Sequence, residues 1–162
     1  PPPAPFGPRP GRVLAIGDSV MLGASATLNN AFGGGITIDA RLSRQAVEGV
    51  NALRAWVERD APPTVVVHLG TNGVFRPAQL DELMATAGAS RTVVFLTVHV
   101  PKSWQDEVND TVRDGVARYA NARLADWHAL VTESRAYVRG DRVHCTPLGA
   151  EGYAAAVLAA TG

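Results

Sequence analysis

One cysteine in 162 residues, Cys145, excludes an internal disulfide and any multi-cysteine metal site. The thiol follows a histidine, and the two readings open for it are a small buried apolar side chain or a group beside a reactive imidazole. Excess charge is also lacking. Fifteen basic residues balance fifteen acidic ones, so no basic field invites nucleic acid or anionic lipid, and a neutral or locally bound ligand fits better. No apolar run approaches the length of a transmembrane helix, and no signal peptide opens the sequence. The four histidines carry no H-E-x-x-H or similar spacing, so no metal is expected, and nothing suggests a cofactor. Internal repeats are missing as well. Low complexity is confined to the proline-rich residues 1–11, read as an extended linker or as a terminus without a role. Residues 12–162 are long enough for one domain with a sizeable core.

In that domain, apolar runs rich in β-branched residues alternate with helical patterns. Strands are expected over 13–16, 36–39, 64–69, 92–98 and 122–125. Helices are expected over 19–32, ended by Gly33-Gly34-Gly35, then over 43–59, stopped by Pro62-Pro63, and over 77–87, 105–119 and 147–160. The alternation implies parallel βαβ units with right-handed crossovers, hence a three-layer α/β/α sandwich around a parallel, flavodoxin-like sheet of five strands. Ligands bind beyond the carboxyl ends of strands in such sheets. Ser19, Ser43, Asn72 and His99 each follow one of the first four strands, so all four belong to a single edge.

Chemistry concentrates in three segments. Val13-Leu14-Ala15-Ile16-Gly17-Asp18-Ser19 is an apolar strand ending on a serine that a turn can hold at the open sheet edge. Asp141-Arg142-Val143-His144 brings an acid and an imidazole within one turn of each other, just before the last helix. Gly70-Thr71-Asn72 lies between them, with glycines at 70 and 73 to turn the backbone tightly. A serine hydroxyl is a poor nucleophile at neutral pH and needs a base. His144 would take its proton, and Asp141 would fix the tautomer and stabilise the imidazolium. Oxyanion charge would fall to the Ser19 backbone N–H and the Asn72 side-chain amide, with added positive potential from the start of the helix at Ser19. Asp18 reads as a cap of that helix. His68 and His99 read as satisfied structural histidines, and His128 has no visible partner. Trp104, with Lys102, follows the fourth strand and either stacks on a sugar ring or packs the next helix. His99, Lys102 and Trp104 thus form the candidate substrate wall. Asn109-Asp110-Thr111 matches a glycosylation sequon, to which no function is attached.

At these residues the chain resembles the SGNH, or GDSL-type, hydrolases and acyltransferases. Ile16-Gly17-Asp18-Ser19 is similar to the first motif block of that family, Leu69-Gly70-Thr71-Asn72-Gly73 to the third and Asp141-Arg142-Val143-His144 to the last. Around the first and third blocks the sequence looks like the extracytoplasmic domains fused to membrane acyltransferases, including peptidoglycan O-acetyltransferases. The resemblance implies a Ser19, Asp141, His144 triad and a third oxyanion donor from the second block. A glycine is usual there; the best-placed residue here is Ser43, whose backbone N–H survives the change. It further implies acyl transfer, most simply acetyl, to a cell-envelope glycan through an acyl-enzyme. The site would be extracytoplasmic, with the donor delivered by a membrane domain upstream. A free-standing esterase and a non-catalytic glycan-binding domain are the alternatives. An α/β-hydrolase is disfavoured, because Gly17-Asp18-Ser19-Val20-Met21 lacks the second glycine of G-x-S-x-G.

Overall fold

The computed structural model describes residues 12–162; the proline-rich linker proposed for 1–11 lies outside them. Five strands, β1 (Val13–Gly17), β2 (Ile36–Ala40), β3 (Thr64–His68), β4 (Thr92–Leu96) and β5 (Ala122–Ala125), pair in parallel in the order β2-β1-β3-β4-β5. Seven helices accompany them: α1 (Ser19–Gly23), α2 (Ser25–Ala31), α3 (Ala46–Arg59), α4 (Pro77–Ala87), α5 (Gln105–Arg118), α6 (Trp127–Glu133) and α7 (Pro147–Thr161).

The period-two alternation of the strands sorts their side chains into two cores. Leu14, Ile16, Val65, Val67, Val93 and Phe95 face α3, α4 and α5. Val13, Ala15, Val66, Val94 and Leu96 face the opposite layer, where α1, α2, α6 and α7 contribute Met21, Leu28, Trp127 and Tyr153. This is the expected three-layer sandwich. A strand covered on both faces has no polar positions to spare, which is why β1, β3 and β4 read as unbroken apolar runs.

Three differences from the sequence expectation concern the elements around the site. The helix expected over 19–32 is two helices, broken at Ala24, whose N–H is shared between the carbonyls of Val20 and Met21. Gly23 stands at the break, where its low helix propensity removes resistance to bending. Helix α6 and the 3-10 turn Arg135–Tyr137 were not anticipated. Asp126 nevertheless gives α6 a recognisable start, since its carboxylate accepts from the Ala129 N–H at 3.1 Å. Strands β3 and β4 also end one and two residues sooner than the apolar runs, leaving Leu69, Thr97 and Val98 to the loops.

Helix α7 closes the domain through a close backbone approach. Thr146 caps it by accepting from the Gly149 N–H at 3.0 Å and donates to the Ala136 carbonyl at 2.6 Å. A Cβ on Gly149 would lie 1.8 Å from the Tyr137 carbonyl oxygen, so only glycine allows this contact. Gly149→Ala is therefore expected to destabilise the protein by about 1–3 kcal/mol, because backbone rather than a movable side chain must yield. Urea unfolding would show this as a lower midpoint at unchanged slope.

Candidate active site

The strand order places a topological switch between β1 and β3. Chain leaving β1 crosses to β2 on one side, while chain leaving β3 crosses to β4 on the other, which opens a crevice at their carboxyl ends. Ser19 and Asn72 come from the two loops that flank it.

Ser19 is the first residue of α1. Its N–H is therefore among those that a helix leaves without an internal partner. The fully buried Asp18 precedes it as the cap, accepting from the Val20 N–H at 3.0 Å. The expected helix potential is smaller than a long helix would give, because α1 has only five residues and few aligned peptide dipoles.

Across the crevice, the Ser19 hydroxyl lies 3.0 Å from His144 Nε2, and His144 Nδ1 lies 2.7 Å from Asp141 Oδ2. The other Asp141 oxygen accepts from the backbone N–H groups of Val143 at 2.9 Å and His144 at 3.1 Å. These bonds hold the acid and the base as one unit. The turn needs a left-handed residue at Arg142 (φ 61°), and it is braced behind by Arg139, whose N–H donates to the His144 carbonyl and whose Nε donates to that of Cys145, both at 2.9 Å. With Nδ1 donating to the carboxylate, Nε2 is free to accept the Ser19 proton. The arrangement can therefore activate a hydroxyl.

The remaining expected donors gather on neighbouring loops. The Asn72 side-chain amide donates one hydrogen to the Arg44 carbonyl at 3.3 Å, while its backbone carbonyl accepts from Gln45 Nε2 at 2.8 Å. The Asn72 and Ser43 loops are thus tied together, and the amide keeps a second hydrogen. Ser43 is exposed and has φ 58°, a left-handed conformation that glycine adopts at lower cost. That is the physical reason a glycine suits this position. Gly70 has φ 107°, and a Cβ there would come within 2.4 Å of Val108.

Sequence reasoning passed over Arg44. Its buried guanidinium donates to the Gly17 carbonyl at 3.3 Å, to the Asp39 carbonyl and, at 2.7 Å, to the Asp39 carboxylate, which also accepts from Trp56 Nε1 at 2.8 Å. This arginine locks the strand end before Ser19 to the end of β2. Asn109 was likewise missed. It is buried, and its amide bonds both the N–H and the carbonyl of Val98 at 2.7 and 2.9 Å, so the sequon side chain serves as a mock strand that steers the chain toward His99.

Of the candidate substrate wall, Trp104 packs against the first core and donates from its indole to the Gly70 carbonyl at 3.0 Å. It is half-buried, and the packing expected of it is present. His99 and Lys102 line an open pocket beside the Asp141–His144 turn. His99 is not a satisfied structural histidine: its buried Nδ1 has no partner among the described residues, and its ring meets that of His128 at a tilt of 31° with centroids 5.2 Å apart. His68 is fully buried with Nδ1 2.8 Å from the Tyr153 hydroxyl, and burial lowers its pKa. Its Nε2 has no partner among the described residues. Cys145 is buried in the second core, which raises its thiol pKa to about 11 and removes it from thiolate chemistry near neutrality. Among the described residues no group of acids, histidines or cysteines is arranged to hold a metal ion.

The fold is that of solved SGNH, or GDSL-type, hydrolases, and over most of its length the chain is similar to curated peptidoglycan O-acetyltransferases. It is 32% identical over 145 residues to the peptidoglycan O-acetyltransferase OatA of Listeria monocytogenes, covering 89% of this chain and 23% of that protein. To the O-acetyltransferase OatA of Staphylococcus aureus it is 29% identical over 143 residues, covering 85% of this chain and again 23% of the relative. The chain thus spans about a quarter of the length of these curated relatives. Among solved structures, the C-terminal catalytic domain of Streptococcus pneumoniae peptidoglycan O-acetyltransferase A, carrying a methylsulfonyl adduct, superposes with a TM-score of 0.81 at 22% identity, over 94% of this chain and 93% of that one. No protein-family model matches the chain.

The His144 hydrogen bond and two backbone N–H groups lower the Asp141 pKa from 3.8 to about 2. The folded form thus binds this proton less readily than the unfolded chain, so the stabilisation is complete above about pH 4 and is lost as pH falls through about 2. Wild type is expected to be more stable than Asp141→Asn at pH 5, with the gap closing by pH 2, in urea titrations at each pH.

Proposed function

We propose that the chain transfers an O-acetyl group to a peptidoglycan glycan through an acyl-enzyme on Ser19, with Asp141 and His144 completing the triad. The observation that carries this reading is the unbroken line from Asp141 through His144 to Ser19, at 2.7 and 3.0 Å. The names of the relatives support acetyl and peptidoglycan as the group and the acceptor.

His144 takes the Ser19 proton as the hydroxyl oxygen attacks the acetyl carbonyl. The oxyanion forms against the Ser19 N–H, the free Asn72 amide hydrogen and the Ser43 N–H. Collapse expels the donor's leaving group, which receives the proton from the imidazolium. An acceptor hydroxyl then gives its proton to His144, attacks the acyl carbon and releases Ser19. No cofactor takes part in this sequence. The shorter span of this chain fits a domain, residues 12–162, that works outside the cytoplasm behind a membrane acyltransferase supplying the donor. Among the described residues no helix is long and apolar enough to cross a membrane.

Plain hydrolysis is a second reading, and one observation favours it. The side chains of His144 and Asp141 are 41% and 48% exposed, so water reaches the acyl-enzyme when no acceptor shields it. An activated acetyl ester supplied with and without muropeptide separates the two: transferase activity yields acetylated glycan at the expense of free acetate. Acetate release unchanged by acceptor, with no acetylated product, would leave an esterase. Ser19→Ala should lose both reactions while remaining folded, and Asn72→Ala should lower kcat roughly 100- to 1000-fold with little change in KM, as expected for a donor needed in the transition state. Full activity of Ser19→Ala would remove the triad from the mechanism.

A further inference from the structure

Beside the Asp141–His144 turn lies a pocket of about 300 Å³ lined by His99, Lys102, Gln105, Arg135 and Arg142 together with the apolar pair Val100-Pro101. No acidic residue lines it. Four separate segments bring these side chains together: the loop after β4, the start of α5, the 3-10 turn after α6 and the triad turn itself.

The charges in this pocket are not neutralised by the protein. Six arginines, at positions 12, 41, 44, 54, 113 and 118, pair with a carboxylate, while those at 59, 76, 91, 123 and 139, dispersed outside the pocket, pair with none among the described residues. Arg135, Arg142 and Lys102, the only lysine in the chain, pair with none among the described residues. The buried Nδ1 of His99 and that of His128 behind it also lack partners. After burial, the influences that depress the His99 pKa come from His128, Arg135 and Arg142, all cationic or potentially so. In a chain of zero net charge, this is a local concentration of positive potential beside the reactive turn.

An anion entering the pocket relieves the repulsion and meets N–H donors that are otherwise unused. Guanidinium forks match the two oxygens of a carboxylate, and the volume admits a group larger than a bare ion.

We propose that this pocket is an acceptor subsite that recognises a carboxylate carried by the glycan, either on the sugar's own acid substituent or on a peptide attached to it. Bound there, the carboxylate orients a hydroxyl of the same acceptor toward His144. The inference rests on the transferase reading for its biological sense, but its binding step does not require Ser19.

The test therefore uses the 162-residue chain with Ser19→Ala and follows the imidazole NMR signals of His99 and His128. The probes are N-acetylglucosamine (neutral), N-acetylmuramic acid (sugar carboxylate), an N-acetylmuramoyl dipeptide (peptide carboxylate) and inorganic phosphate. At least one carboxylate-bearing sugar should bind roughly tenfold or more tightly than N-acetylglucosamine, and Lys102→Gln with Arg135→Gln should reduce its affinity to that of the neutral sugar. Whichever of the two binds more tightly identifies the source of the carboxylate. Equal binding of neutral and acidic sugars, or unchanged binding by the double variant, would overturn the proposal. So would phosphate matching the sugars, since that describes an unselective anion site. Wild-type turnover of an acetyl ester separately tests the triad, so either reading can fail without the other.

Discussion

Parallel pairing of β1 with both β2 and β3 is the constraint on which the rest of the molecule depends. Strands that run the same way deliver every following loop to one edge, and a strand order that reverses direction at β1 and β3 leaves those loops diverging around a crevice. The nucleophile candidate, both side-loop oxyanion candidates and the His99 wall are placed by this one arrangement. Little further geometry has to be specified locally. What remains is to hold the loop ends still, and buried polar side chains do so: Arg44 at the ends of β1 and β2, Asn109 at the end of β4, and Asp18 under Ser19.

Legibility in the sequence follows the same physics. Runs such as Val65-Val66-Val67 and Val93-Val94-Phe95 are covered on both faces and cannot be mistaken for exposed strands, so the layer architecture was readable. The pairing of Asp141 with His144 was legible because the two lie three residues apart, whereas their meeting with Ser19 depends on the assembled sheet. Helix α6 was not, since two turns beginning Trp127-His128 give too little periodicity to stand out, and only the Asp126 cap marks them. Arg44 and Asn109 were equally hidden: each bonds backbone carbonyls or N–H groups of a segment whose position is unknown until the sheet is assembled. His99 shows the limit most clearly, because whether a histidine near a strand end has a partner depends on α6 and on the turn at Arg142, neither of which sequence pattern locates.

The site joins two kinds of stability. Asp141 and His144 are held locally by hydrogen bonds within a single turn, whereas their registration with Ser19 depends on α7 docking at Gly149 and on Arg44 fixing the chain before the nucleophile. Substitutions in the first group change the hydrogen bonding and charge of the His144 imidazole. Those in the second change where the base stands relative to the hydroxyl, which is why residues with no reacting atom, such as Gly149, bear on the site.

The hydroxyl and the imidazole that meet at 3.0 Å are 125 positions apart in the chain, one near the start of the domain and the other just before its final helix. A chain emerging from the ribosome therefore makes this contact among its last. Nearly the whole domain must be synthesised and docked before His144 can reach the Ser19 hydroxyl, so the growing polypeptide lacks this contact through the interval in which its cores are still incomplete. Labelling of Ser19 by a serine-directed reagent would consequently report completion of the fold as well as the presence of the site.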